Sequence, residues 1–285
     1  MQTLKKPGGP PPAEEKKYHA AVCNICGSKE YRQIHFFKDW NFGRDRVKDV
    51  AIIQCKQCKV RRRMPEITDD YEADYHAPYV EQGQAIHPHQ LYHFGDLMTA
   101  RLRDFDAPNL KLLDVGCSTG RILRLAATMG FSATGLDYSQ WATDYCAKLG
   151  FPTRQGSLIG QWEESEVFDI IHISHTIEHV PDPMAYIREM RRLLKPGGHL
   201  MLACPNYASL PRILQKDSWI WCLDSHLWQF TAGQMRHFIE SNGFDIVSLK
   251  THHGQTPNNR WKKMALHLSQ SWGYADGLNI VAKRV

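Results

Sequence analysis

Four short apolar runs punctuate the latter part of the chain: 110–116 (LKLLDVG), 132–138 (SATGLDY), 168–174 (FDIIHIS) and 199–205 (HLMLACP). They are continuous instead of alternating, and Gly, Pro or polar residues bound them, which predicts strands buried on both faces. Between them the apolar positions recur at helical spacing, predicting helices over 119–129, 140–149 and 183–194, the last stopped by Lys195-Pro196-Gly197-Gly198. Strand and helix in alternation mean crossover units and a parallel sheet. Two C-terminal runs, 244–251 and 278–285, read as strands with no long helix between them, pairing antiparallel at the sheet edge. The pattern is absent at the other end. Residues 1–20 carry Pro, Gly and charge with almost nothing apolar, so they predict a disordered tail. A Cys-, aromatic- and Arg/Lys-rich segment over 21–80 then reads as a small domain, and 81–285 as a larger one.

Composition narrows the function classes. With 42% hydrophobic and 23% charged positions the chain has the make-up of a folded protein, and no apolar stretch approaches the roughly 18 residues of a membrane span. Lys5 and Lys6 are followed by Gly and Pro instead of an apolar leader, so a cytoplasmic location is expected. A net charge of +5 is mild for this length and argues against a dedicated nucleic-acid binder.

Of eight cysteines, Cys117, Cys146, Cys204 and Cys222 are scattered and read as ordinary thiols. The other four form Cys23-x-x-Cys26 and Cys55-x-x-Cys58, with 28 residues between the pairs. That spacing suits two knuckles closing a four-thiolate zinc site, with Gly27 and Lys59 at the tight turns and a small hairpin between. Four thiolates leave no open position, so such a zinc is structural; free thiols or a redox pair are the alternatives.

Asp114-Val115-Gly116-Cys117-Ser118-Thr119-Gly120 falls where a buried strand turns into a helix. Glycine there lets a ligand approach the backbone, and Asp137 at the end of the next strand can accept both hydroxyls of a ribose. A dinucleotide would want G-x-G-x-x-G. The acid at Asp114 repels phosphate and suits a ligand with a cationic amino group or sulfonium, such as S-adenosylmethionine.

The segments LLDVGCSTG, GLDYS, FDIIHISHTIEHVPDP and LLKPGGHLMLACPN, in this order, resemble a class I S-adenosylmethionine-dependent methyltransferase of the ubiquinone-biosynthesis-like branch. The resemblance implies an α/β, Rossmann-like, seven-stranded sheet, mostly parallel with an antiparallel C-terminal hairpin, beside the small N-terminal zinc ribbon. It implies that Gly116, Cys117 and Gly120 line the cofactor's amino-acid end, with Asp114 holding that end through water or backbone. Asp137 would take the ribose, Tyr138 flank the adenine, and Ser174 and His175 line the sulfur. Where the family usually has Gly-Asp this chain has Gly156-Ser157, so Ser157 and the backbone of Leu158 are left to read the adenine edge. A zinc ribbon joined to such a domain is similar to bacterial enzymes acting on sugar nucleotides, cell-surface glycans and secondary metabolites.

His175-x-x-Glu178-His179 also matches an inverted zinc-protease motif, but Pro181 and Pro183 follow at once and leave no room for the long helix that motif needs. The family likeness instead implies that Glu178 and His179 brace a loop or, as in some O-methyltransferases, hold a divalent ion. Lys56, Lys59 and Arg61 to Arg63 read as a solvated face, or as a contact for RNA or a small anionic substrate. Tyr207, Trp219, Trp221, His226, Trp228 and Phe230 form either a substrate lid or the core of an insertion. Methyl transfer to a hydroxyl or acidic carbon needs a base, for which His179 or His226 is the natural choice. The expectation is a small-molecule methyltransferase. An RNA methyltransferase or a non-catalytic binding module of the same fold are the alternatives.

Overall fold

The computed structural model describes residues 22–42, 45–64, 110–215, 226–253 and 260–285. The proposed tail, the 65–109 stretch, Trp219 and Trp221 lie outside them. The larger sheet is built from β4 (Lys111–Val115), α1 (Arg121–Thr128), β5 (Ser132–Asp137), α2 (Gln140–Lys148), β6 (Thr153–Gln155), β7 (Phe168–Ser174), α3 (Pro183–Leu193) and β8 (Leu194–Pro205). After them come α4 (Leu210–Gln215), β9 (Trp228–Gln229), α5 (Ala232–Glu240), β10 (Phe244–His252), α6 (Arg260–Ser271) and β11 (Gly277–Arg284). Seven strands take the order β10-β11-β8-β7-β4-β5-β6. The five from β8 to β6 are parallel, while β11 runs antiparallel to both β8 and β10. The expected sheet and its edge hairpin are thus both present. The expectation of no long helix between the last two strands is corrected by α6. Its large apolar residues Met264 and Leu268 are exposed, so its described side chains show no buried stripe like those that made the other helices legible.

The central strands were readable because both their faces are covered. Leu112, Leu113, Ile170, Ile171, Ile173 and Leu200 to Leu202 are inaccessible to solvent. Helix starts follow the cap chemistry: Ser139 accepts from Ala142 N, Asp182 from Ala185 N with Pro183 at the first turn, and Thr231 and Gln234 form a reciprocal capping box.

The N-terminal unit is a second sheet of β1 (Tyr31–Phe42), β2 (Asp45–Cys55) and β3 (Arg61–Met64), and its fourth strand is β9 of the larger domain. Arg61 and Arg62 register against Gln229 and Trp228. Arg63 N donates to Leu227 O (2.9 Å), Asn24 Nδ2 to Pro181 O (3.1 Å) and Gln234 Nε2 to Cys58 O (3.1 Å). Cys23, Cys55 and Val60 belong to one continuous core with Trp228, Phe230 and Met235. The basic run is therefore not a solvated face throughout. Lys56 and Lys59 are exposed, but Arg62 and Arg63 are buried, and Arg62 stands over the Trp228 ring at 4.9 Å.

Candidate functional site

Chain order reverses at β4: β5 and β6 lie to one side of it and β7 to the other, and in open α/β sheets ligands bind at the carboxyl ends of strands at such a switch. Two loops meet there. Gly116, at φ +80°, approaches Thr176 so closely that a Cβ would fall 2.3 Å from its Oγ1, and Thr176 Oγ1 donates to Val115 O (3.4 Å). Gly116 N and Cys117 N both donate to Leu136 O (2.8 and 3.1 Å), pinning the glycine loop to β5. No side chain caps α1; its N-cap is Gly120 at φ +68°.

Asp137 ends β5 and is 5% exposed. Its Oδ2 accepts from Ser118 N (2.8 Å) and its Oδ1 from Ser139 N (3.0 Å). Burial raises its pKa, while those two backbone donors pull the other way. A carboxylate offers about four acceptor sites, so capacity remains beyond these backbone bonds for a ribose hydroxyl. Tyr138 beside it is 64% exposed, a ring offered to solvent next to the acid. Acid, open ring and a loop bounded by Gly116 and Gly120 fit an adenosyl ligand.

Other sequence-nominated residues are engaged elsewhere. Asp114 Oδ1 lies 2.7 Å from His172 Nδ1, the two side by side in the β4–β7 register and both buried. Cys117 turns its side chain into the core beside Gly135, and its thiol pKa is pushed up by Cys146 and by burial. Ser157 Oγ lies 3.0 Å from Tyr186 Oη, which also receives Leu158 N (3.3 Å). His172 and Tyr186 escaped the sequence reading. A polar residue inside a buried run, level with an acid on the neighbouring strand, was the available signal for His172. For Tyr186 there was none beyond its place on α3.

At the end of β7, Ser174 leads into His175, whose φ of +52° turns the chain sharply into a short loop. That loop is a turn and not the long helix of the zinc-protease motif. It carries Glu178, 1% exposed, neither of whose oxygens has a hydrogen-bond donor among the described residues. His175 Nδ1 lies 3.4 Å from Glu178 Oε1, His226 Nε2 3.9 Å and His179 Nε2 4.0 Å. Burial favours the neutral acid, but His175, His179 and His226 together hold Glu178 down to about 2, an ionised carboxylate. The His179 and His226 rings meet edge to face at 4.7 Å. Glu178, His179 and His226 bring one donor atom each within 4.8 Å of one another, the set a divalent cation would use. Glu178, Pro205, Tyr207, His226, Trp228, Gln229 and Phe230 line a small pocket of about 10 Å³, room for about one water. Tyr207, His226, Trp228 and Phe230, the described members of the expected aromatic lid, all line this pocket and all are buried, so they pack as core while facing it.

His252 adjoins this cluster, its pKa pushed down to about 4 by burial first and by His175 second. A histidine neutral in the fold but basic when unfolded contributes stability that is present above about pH 6.5 and lost as pH falls toward 4. Urea unfolding at pH 7 and pH 5 should show wild type losing up to about 2 kcal/mol more than a His252→Gln variant over that interval. Equal losses would show that His252 titrates normally.

In the ribbon, Cys23 and Cys58 sulfurs stand 3.8 Å apart and Cys26 and Cys55 3.6 Å, and all four lie within 4.8 Å of one another. Tetrahedral zinc with bonds of about 2.3 Å requires sulfurs about 3.8 Å apart. The turns are equivalent: Gly27 N donates to Cys23 O and Lys59 N to Cys55 O, with Gly27 and Lys59 both left-handed. Cys23 is pulled down to about 4, chiefly by the Cys58 thiol, a thiolate in waiting. The donor set fits zinc and leaves no open position.

A model of the methyltransferase domain matches residues 88–249. Over 104 residues the chain is 31% identical to the ubiquinone biosynthesis O-methyltransferase of Aliivibrio fischeri (strain MJ11), covering 34% of this chain and 44% of the relative. It is 33% identical over 129 residues to the enzyme of that name from Xanthomonas oryzae pv. oryzae (strain PXO99A), covering 43% and 51%. The chain thus spans about half, or less, of the length of these curated relatives. Among solved structures, a Mesorhizobium loti S-adenosylmethionine-dependent methyltransferase matches 71% of this chain and 100% of its own with a TM-score of 0.54 at 18% identity. The complex of the Haloferax volcanii Trm112 methyltransferase activator with a methyltransferase matches 76% and 98% with a TM-score of 0.56 at 15% identity. At these identities the likeness concerns the fold.

Proposed function

Since the chain belongs to the methyltransferase domain family, we propose that it transfers a methyl group from S-adenosylmethionine to an oxygen or carbon of a small-molecule acceptor: a sugar, a cell-surface glycan precursor or a secondary metabolite. The observation that carries this reading is Asp137, a buried acid at the switch point whose oxygens are aimed by Ser118 N and Ser139 N beside the exposed ring of Tyr138. O-methyltransferases among the relatives favour oxygen as the accepting atom.

The bound sulfonium supplies an electrophilic methyl group, and the protein's share is alignment, a dry pocket and a place for the acceptor's proton. His226 is the better-placed base of the two nominated histidines, because it lines the pocket while His179 packs against its ring. Glu178 faces its Nε2 and stabilises the imidazolium that forms. The four cysteines hold a structural zinc.

The test is calorimetric titration of the zinc-loaded protein with S-adenosylhomocysteine, beside an Asp137→Ala variant. Micromolar binding by wild type, weakened about a hundredfold or more in the variant, is expected, since two charge-assisted hydrogen bonds are lost. Folded wild-type protein that binds nothing would overturn the reading.

A further inference from the structure

Two guanidinium groups share one aromatic ring beside the pocket. The guanidinium carbon of Arg61, on β3 of the ribbon, stands 4.1 Å from the centre of the Tyr207 ring. That of Arg212, on α4 of the larger domain, stands 4.0 Å from the same centre, and its Nη2 donates to the Tyr207 hydroxyl. Arg61 Nε is buried without a hydrogen-bond partner among the described residues. Burial, and then the charges of Arg212 and Arg32, lower the pKa of Arg61, and no acid of the described residues figures among the groups that act on it. Arg32 spends its own fork on Gln54 Oε1 (3.0 and 2.6 Å). Other arginines of the chain are answered: Arg192 by Glu189, Arg236 by Glu240 and Arg284 by Glu166. A guanidinium cannot discharge itself, so two brought together with no carboxylate on them among the described residues leave a positive field that an oxyanion relieves.

The place gives this field a purpose. Tyr207 lines the same pocket as Glu178 and His226, and Gln229, which registers opposite Arg61, lines it too. We propose that Arg61 and Arg212 form an anion site for the methyl acceptor, whose class is therefore a small molecule bearing a phosphate, diphosphate or carboxylate group. The word acceptor rests on the methyltransferase reading; the anion site does not. Both guanidiniums present forks matched to oxyanions, and one comes from each domain. The ribbon then helps to select the substrate as well as brace the loop.

The test titrates the full zinc-loaded chain, saturated with S-adenosylhomocysteine, with inorganic pyrophosphate in one arm and acetate in the other. One probe should bind saturably, and Arg61→Gln and Arg212→Gln should each weaken it tenfold or more while S-adenosylhomocysteine affinity stays within twofold. The arm that responds tells phosphate from carboxylate. Arg212→Gln lies outside the ribbon, so it decides the matter if Arg61→Gln unfolds. Binding in neither arm, or variants that bind as wild type does, would overturn the proposal. So would tight, steeply salt-dependent binding of mixed RNA that both variants abolish. Arginine-dependent pyrophosphate binding without S-adenosylhomocysteine binding would sink the methyltransferase reading and leave the anion site standing.

Discussion

Stripping zinc with a chelator, or replacing Cys55 by serine, is expected to unfold residues 22–64 and to loosen the loop that carries Glu178. Cys55 is wholly buried and its sulfur is 3.6 Å from that of Cys26. A sheet this small has little apolar surface to bury, whereas zinc on four thiolates supplies about 10–16 kcal/mol of apparent folding energy. The damage travels by named bonds. Asn24 to Pro181 and Gln234 to Cys58 tie the knuckles to the Glu178 loop and to the first turn of α5. Metal analysis should find one zinc per wild-type chain and none in the variant. Limited proteolysis of the metal-free protein should cut first within 22–64, and S-adenosylhomocysteine affinity should fall. A metal-free chain with the same protease resistance and melting temperature would show that the four thiols do not need an ion.

Trp228→Ala is expected to cost about 3–5 kcal/mol, the range for deleting a fully buried large aromatic. Its side chain is 1% exposed, its Nε1 donates to Val180 O (2.9 Å), its backbone N donates to Glu178 O (3.0 Å), and Arg62 covers the ring. One truncation therefore opens a cavity, orphans a carbonyl of the Glu178 loop and removes the partner of a buried cation. Trp228→Phe keeps most of the volume and should recover more than half of the loss. Urea unfolding followed by circular dichroism measures both. A cost below about 1 kcal/mol for the alanine variant would mean that the seam between the sheets is not where the domains are held together.

Much of the parallel sheet was legible because strands covered on both faces write themselves as unbroken apolar runs, as in FDIIHIS and LKLLDVG. The cysteine pairs were legible because a knuckle fixes its own spacing. What escaped had no local signature. The described side chains of α6 bury no apolar stripe, and β9 is two residues long and exists only because Arg61 and Arg62 lie opposite it. The burial of Arg62 and Arg63 came from packing against a segment far along the chain, which a charge run cannot announce. At the candidate site, Asp137 and Glu178 were nominated by motif. The pairing of Asp114 with His172 is a register property, visible only once β4 and β7 are side by side. The gathering of His175, His179 and His226 around one carboxylate likewise needed the return of the chain from β8.

The ribbon borrows its last strand and a capping glutamine from far downstream: Gln234 and Cys58, which bond to one another, are 176 residues apart. At roughly 5–20 residues per second, a ribosome needs on the order of 10–35 s to deliver Gln234 after the second cysteine pair has been made. Through that interval the knuckles have their ligands but not their neighbour, and β3 lacks the strand that pairs with its outer edge. With the four thiols holding zinc as proposed, metal supply during synthesis, as well as after it, governs how much of the chain reaches the native state.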